Sequence, residues 1–194
     1  HSYRDFMIDV NMVLTIHESW NNLDDYLMSM KTKFRTRANA VFKKSKALDI
    51  KSLNPVDIIE QKERISELFG NVLAKSDFSI GTITPETFAN FKESLKDDFQ
   101  FKALYIDGIM IGFSTSFRNK NALEANYVGL DYEYNKQYDV YQRILYDYVE
   151  QALEINAKEL QLGRTSELIK SAIGAVPTEM RLYMKHRKNV SNLL

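Results

Sequence analysis

The side chains of this chain that are best placed to do chemistry fall in one short stretch, Leu162-Gly163-Arg164-Thr165-Ser166-Glu167-Leu168-Ile169-Lys170-Ser171-Ala172-Ile173-Gly174. A brief strand over Lys158 to Leu162 runs into Gly163, which can take a sharp exit. Thr165 or Ser166 is predicted to cap the following helix with a side-chain oxygen. Gly174 is predicted to end it in the left-handed conformation. Arg164, directly after the glycine corner, can grip a carboxylate or a phosphate in a forked geometry. It can equally neutralise Glu167 or a helix end. Lys170 is the strongest candidate of the stretch for contact with a ligand. The plainer alternative is a lysine on the exposed face of a short helix, in an ordinary strand–helix–strand unit.

Other familiar chemistries are absent from the sequence. Zero cysteines remove disulfides, thiolate nucleophiles and thiolate metal sites together. His1, His17 and His186 lack metal-ligand spacing, so no metal is expected. There is no G-x-S-x-G, P-loop or dinucleotide fingerprint. Eleven tyrosines, several between Tyr127 and Tyr148, could line a pocket. Helical spacing places Tyr141 and Tyr148 in a core without that idea.

The elements that must position these groups follow from periodicity. Phe6, Ile8, Val10, Met12, Leu14 and Ile16 alternate as in a half-buried strand. Asn21 or Asn22 then opens a long helix with Leu23, Tyr26, Leu27, Met30, Phe34, Ala38, Val41 and Phe42 on one stripe. Asn54-Pro55 opens a second, reaching Leu73, since proline suits the first helical position. Thr84-Pro85-Glu86 opens a third, with Phe88, Phe91, Leu95 and Phe99 inward. Phe101 to Ile106, Asp107-Gly108 and Ile109 to Phe117 read as a hairpin. A strand from Leu123 to Leu130, a helix from Tyr138 to Asn156 and a last strand from Glu179 to His186 complete the order. The tail from Arg187 to Leu194 has no periodicity. Antiparallel strands followed by a helical crossover between the fourth and fifth predict an α/β domain with a mixed, mostly antiparallel sheet flanked by helices.

The composition, 44% hydrophobic and 27% charged over 194 residues, suits one domain with its own core. No apolar run is long enough for a membrane span, and the N-terminus is no signal peptide. A reducing, cytoplasmic home is the expectation. The chain opens at His1-Ser2 without a methionine, which predicts a piece of a longer protein. Net charge is zero, but residues 26–51 carry Lys31, Lys33, Arg35, Arg37, Lys43, Lys44, Lys46 and Lys51 against Asp49 alone. Such a segment can meet phosphates, a membrane surface or an acidic partner, or be a solvated helix face.

This order of elements resembles the GNAT acyltransferase superfamily, and more specifically the FemAB-like and BioF2-like acetyltransferase domains of bacterial type. The likeness rests on Tyr26-Leu27 with the basic residues from Lys31 to Lys44, on Tyr127-Val128-Gly129-Leu130-Asp131, and on Gly163 with Lys170 and Gly174. It implies a single GNAT-like domain over residues 1–194, the C-terminal lobe of a longer protein whose upstream lobe is also GNAT-like. It implies transfer of an acetyl or aminoacyl group to an amine, carried by a small molecule or a cell-wall precursor. Acetyl-coenzyme A or another acyl-coenzyme A would lie between the fourth and fifth strands, near Val128, Gly129, Lys136, Gln137 and Arg164. Aminoacyl-tRNA, met through the basic helix, is the Fem-type donor.

Glu124 starts the central strand and shares a face with Asn126 and Val128, which makes it the candidate base or else a solvated carboxylate at a strand end. By the resemblance, Lys170 is the catalytic partner that contacts the donor. Backbone N–H groups from Tyr127 to Gly129 are candidate oxyanion donors, and Tyr127, Asp131 and Tyr141 candidate substrate contacts. Asp131 can instead cap the following turn. The chain departs from the family after Gly129, where Asp131, Glu133 and Asp139 replace the glycine-rich phosphate turn. That departure, and the lack of a tyrosine on the helix after Gly163, also allow a non-catalytic lobe that binds a partner. A nucleic-acid-binding module built on the basic helix is a third reading.

Overall fold

The computed structural model describes residues 3–75 and 81–185. Its strands are β1 (Arg4–Thr15), β2 (Asp49–Ser52), β3 (Phe99–Ile106), β4 (Ile109–Asn119), β5 (Ala122–Leu130), β6 (Glu159–Gln161) and β7 (Val176–Met184). Its helices are α1 (Leu23–Ser29), α2 (Thr32–Lys44), α3 (Pro55–Glu60), α4 (Lys62–Leu73), α5 (Pro85–Leu95), α6 (Tyr132–Tyr138), α7 (Val140–Glu154) and α8 (Glu167–Ala172). The strands form one sheet in the order β2-β3-β4-β5-β6-β1-β7. Every pairing is antiparallel except β5 with β6, which the α6–α7 crossover joins in parallel. The predicted mixed α/β sheet is therefore present. The first strand lies between the sixth and the seventh, so the two ends of the described chain close the same edge.

Helices cover the sheet on both sides. On one face α3, α4 and α5 enclose an aromatic core of Phe69, Phe88, Phe99, Phe101 and Phe113. On the other, α1, α2 and α7 bury Tyr26, Val41, Ile144 and Val149 against Met12, Leu14, Leu104, Leu123 and Leu160. The 3.6-residue stripes predicted for these helices supply those side chains.

The hairpin forms at its predicted turn. Asp107 and Gly108 both have positive φ, 49° and 79°, as a two-residue primed turn requires. The first two expected helices are each broken. Asn22 does cap the first, accepting from the Asp25 amide at 3.0 Å. The helix stops at Met30, whose backbone is extended. Arg35 Nη1 takes up the freed Met28 and Met30 carbonyls. Asn54 and Asp57 form a reciprocal capping box with Pro55 in the first turn, but Gln61 ends α3 after six residues. Phe99, expected on the third helix, is the first residue of β3, because Lys96 at φ 52° turns the chain out of the helix. Strand β2 and helix α6 were not predicted. The last strand runs from Val176 to Met184; His186 and the tail lie outside the described residues.

Candidate active site

Strands β5 and β6 pair only through Ala122–Glu159, Leu123–Leu160 and Glu124–Gln161. Beyond Glu124, β5 continues for six residues without that neighbour. The chain after β6 turns instead toward β1: Leu162 N donates to Met12 O at 2.8 Å and Met12 N to Gly163 O at 3.0 Å. Asn11 Oδ1 accepts from Gly163 N at 2.9 Å. Gly163 makes this exit at φ 76°, a conformation glycine takes at no steric cost. A fork opens between the two parallel strands.

Helix α8 packs against β1 and β7. The expected side-chain cap is absent: neither Thr165 nor Ser166 caps it, and Ser166 is left-handed at φ 61°. Its hydroxyl turns toward the Tyr141 phenol instead, which burial raises and that hydrogen bond partly lowers. Gly174 ends the helix at φ 92°, as predicted. Lys170 is 3% exposed, which rules out the exposed-face alternative. Its Nζ donates to Gly163 O at 3.3 Å. Burial pulls its pKa down to about 8, with Glu167 opposing the shift. A lysine ammonium has three donors, so two remain beyond the Gly163 bond. Arg164 is exposed and forms no ion pair with Glu167.

Glu124 and Val128 do not share a face, contrary to the sequence-based expectation. Between Ser114–Val128 and Ser116–Ala125 the register shifts, so Asn126 and Tyr127 together oppose Thr115. Thr115 Oγ1 accepts from Tyr127 N at 2.9 Å and donates to Tyr127 O at 3.3 Å, holding the bulge. The bulge reverses the alternation. Glu124 and Gly129 lie opposite Phe117 and Phe113 on the α3–α5 side, and Val128 lies opposite Ser114 on the α7 side. Glu124 thus stands at the last rung before the fork, on the face opposite Lys170. Its carboxylate accepts from Asn119 Nδ2 at 2.8 Å.

The turn after β5 is filled by protein groups. Asp131 caps α6, accepting from Glu133 N at 3.1 Å, and its other oxygen receives Arg64 Nη2 at 2.9 Å. Burial raises the Asp131 carboxyl, but these bonds outweigh it and hold it below its ordinary range. Both oxygens are engaged, so the capping alternative describes it. Helix α6 carries Lys136 and Gln137. Gln137 bonds the Tyr138 hydroxyl, and Lys44 Nζ reaches Lys136 O and Asp139. In the first turn of α7 the Tyr141 amide donates to Asn135 Oδ1 at 2.8 Å. Tyr127 packs edge-on against Phe69. Of the candidate residues, Glu124 stands at the last β5–β6 rung, Lys170 reaches the chain just past β6 at a Gly163 carbonyl that also accepts from Met12 N of β1, and Tyr141 lies beside Ser166. Tyr127 and Gly129 are packed into the aromatic core, and Asp131 is bound by Arg64.

Sequence reasoning missed an apolar cleft of about 440 Å³ bounded by Trp20, Tyr26, Met30, Phe34, Ile173 and Val176. It exists because α1 ends at Met30, and Trp20 and Phe34 were the signal for it. The basic segment is dispersed: Arg35 bonds the end of α1, Lys44 pairs with Asp139 and Lys51 with Asp49. No helix among the described residues is long and apolar enough to cross a membrane. None of their acidic and histidine side chains group as metal ligands.

No family model and no curated protein matches this sequence. Solved structures do match the fold. A crystal structure of FemX superposes with a TM-score of 0.73 at 12% identity, over 97% of this chain and 64% of that one. L-PGS from Bacillus licheniformis gives 0.65 at 13% identity, over 99% and 65%. A GCN5-related N-acetyltransferase from Kribbella flavida gives 0.52 at 12% identity, over 94% and 59%. This chain spans just under two thirds of the length of those structures. Its fold is the FemAB/GNAT-like acyltransferase fold.

Proposed function

We propose that this chain transfers an acyl or aminoacyl group to an amine at the β5–β6 fork. The observation that carries the reading is the parting of β5 from β6 beyond Glu124, with the Lys170 ammonium buried where the chain leaves β6. In the reaction the amine nitrogen attacks the donor's carbonyl carbon and forms the C–N bond. The donor's C–S or C–O bond breaks, and the thiol or hydroxyl leaves with a proton. Glu124 takes the proton that the amine loses. Lys170, protonated at neutral pH, faces the negative charge that develops on the carbonyl oxygen. Arg164 and Tyr141 flank the donor.

Helix α6 favours an aminoacyl ester over acyl-coenzyme A as donor. A pyrophosphate needs free N–H groups at a helix start. The first turn of α7 already gives the Tyr141 amide to Asn135, with Asp131, Glu133 and Asp139 close by. The acceptor in this reading is an amine on a small molecule or cell-wall precursor. The setting is cytoplasmic, and an upstream GNAT-like lobe completes a longer protein.

The test offers the protein acetyl-coenzyme A and, separately, alanyl-tRNA, with a lysine-bearing cell-wall precursor peptide, and follows the acceptor by mass spectrometry. An amide product that disappears in Lys170→Ala supports the reading. No product with either donor, from a protein that carries its native flanking sequence, overturns it.

A further inference from the structure

Far from the fork, at the β2–β3 edge of the sheet, lies a cavity of about 420 Å³ between the end of α2, β2, β3 and α7. It is lined by Phe42, Ser45, Lys46, Leu48, Ile50, Lys102, Arg143 and Asp147. Its walls carry three cations and one carboxylate, and that carboxylate is already engaged. Asp147 Oδ1 accepts from Lys102 Nζ at 2.9 Å and Oδ2 from Gln151 Nε2 at 2.6 Å. Arg143 sends one arm, Nη2, to Glu150 at 3.1 Å, and Glu150 borders a different cleft. Arg143 Nη1 is buried with no acceptor among the described residues. Lys46, from the basic segment, has no ion pair there. A fully buried donor without a partner is rare in native proteins; the guanidinium otherwise lies over the Phe42 ring at 5.2 Å. With Lys102 paired to Asp147 and Arg143 to Glu150, Lys46 is the unpaired charge on these walls among the described residues, and it sets the sign of a ligand.

We propose that this cavity binds a phosphate-bearing small molecule, with Lys46 and Arg143 holding the phosphate. Arginine suits the forked geometry and lysine the point charge. The volume exceeds what a bare phosphate fills and falls within the range of small-molecule sites. Leu48 and Ile50 offer an apolar edge to a ring. The ligand is therefore a phosphomonoester of sugar or nucleotide size. The proposal does not depend on the acyl-transfer reading, because the cavity and the fork share no residue.

Adenosine 5′-monophosphate and inorganic phosphate are the probes, with adenosine as the neutral control, followed by calorimetry and by amide shifts in a nitrogen-15 spectrum. The expected result is binding of the monophosphate that adenosine does not match. Shifts should be centred on residues 45–50, Lys102 and Arg143. Affinity should fall about tenfold or more, on the order of one charge-assisted bond, in Lys46→Glu, an exposed substitution that leaves the fold intact. Absence of binding at about 10 mM monophosphate, an affinity of only about 3 kcal/mol, overturns the proposal. So does binding that adenosine equals, that Lys46→Glu leaves unchanged, or that shifts Arg164 and Lys170 instead.

Discussion

Lys170 Nζ donates to the Gly163 carbonyl at 3.3 Å, so a buried ammonium is tied to the residue at which the chain leaves β6. The bond is single and carries no carboxylate partner, which is why burial lowers the lysine to about 8. The group is charged at neutral pH at a cost to the fold. Unfolded, it titrates near 10.5. Between about 8 and 10.5 the unfolded chain holds more protons than the folded one, so stability rises with pH across that window. Below about 8 both forms are charged and the full cost, roughly 3 kcal/mol at most, is present. Lys170→Met should therefore raise the urea midpoint at pH 7 and remove the rise between pH 8 and 9.5. Equal pH slopes in the two proteins would show that the ammonium is not desolvated.

Glu124 gives the complementary prediction. It is half-exposed at the fork and its carboxylate bonds the surface residue Asn119, so Glu124→Gln should shift stability by no more than about 0.5 kcal/mol. In the proposed reaction the same change should lower kcat by about 10²-fold or more with KM little altered, as loss of a general base does. Turnover that survives Glu124→Gln would move the base elsewhere.

The charged seam under α7 should behave differently. Lys102, Asp147, Gln151 and Ser116 form a continuous chain, with Asp147–Gln151 at 2.6 Å and Ser116–Gln151 at 2.7 Å. Asp147→Ala leaves a largely buried lysine and amide without their acceptor, and should cost about 3–5 kcal/mol. The double variant Lys102→Met/Asp147→Leu removes the stranded charge together with its partner. It should recover most of that loss. Urea denaturation of the single and double variants measures the coupling directly. Additive losses would mean that the pair is not coupled.

Much of this architecture was legible along the chain because it is local. Asp107-Gly108 specifies its turn, Asn54-Pro55 and Thr84-Pro85 open helices, and Gly163 and Gly174 take the positive φ that their positions demand. The breaks in the long helices were not legible. They depend on Arg35 reaching back to two carbonyls and on Gln61 leaving helical geometry. Strand β2 is four residues long with Ile50 as its one apolar residue, too short to show a period. At the site, the spacing of Gly163 and Lys170 could be read, but the face of Glu124 could not. That face depends on a bulge held by the Thr115 hydroxyl, and such contacts leave no periodic trace. Asp131 is likewise claimed by Arg64 from 67 residues away.

Gly129 separates two meanings of a glycine. In the resemblance it gives backbone access to a donor; in the fold it makes room for a ring. A Cβ at Gly129 would overlap the Phe113 ring and lie 2.9 Å from Leu68 Cβ. The Phe113 ring cannot withdraw, because it stacks on Phe101 at 4.9 Å and meets Phe88 edge-on at 5.8 Å. Gly129→Ala should then cost at least the 1–3 kcal/mol typical of overpacking, whatever the donor. Phe113→Leu in the same chain frees that space, so the double variant should lose less than the sum of the single losses by about 1 kcal/mol or more. Thermal or urea unfolding of the four proteins checks this. If Gly129→Ala is fully stable but fails in donor binding, the glycine serves the ligand and not the aromatic core.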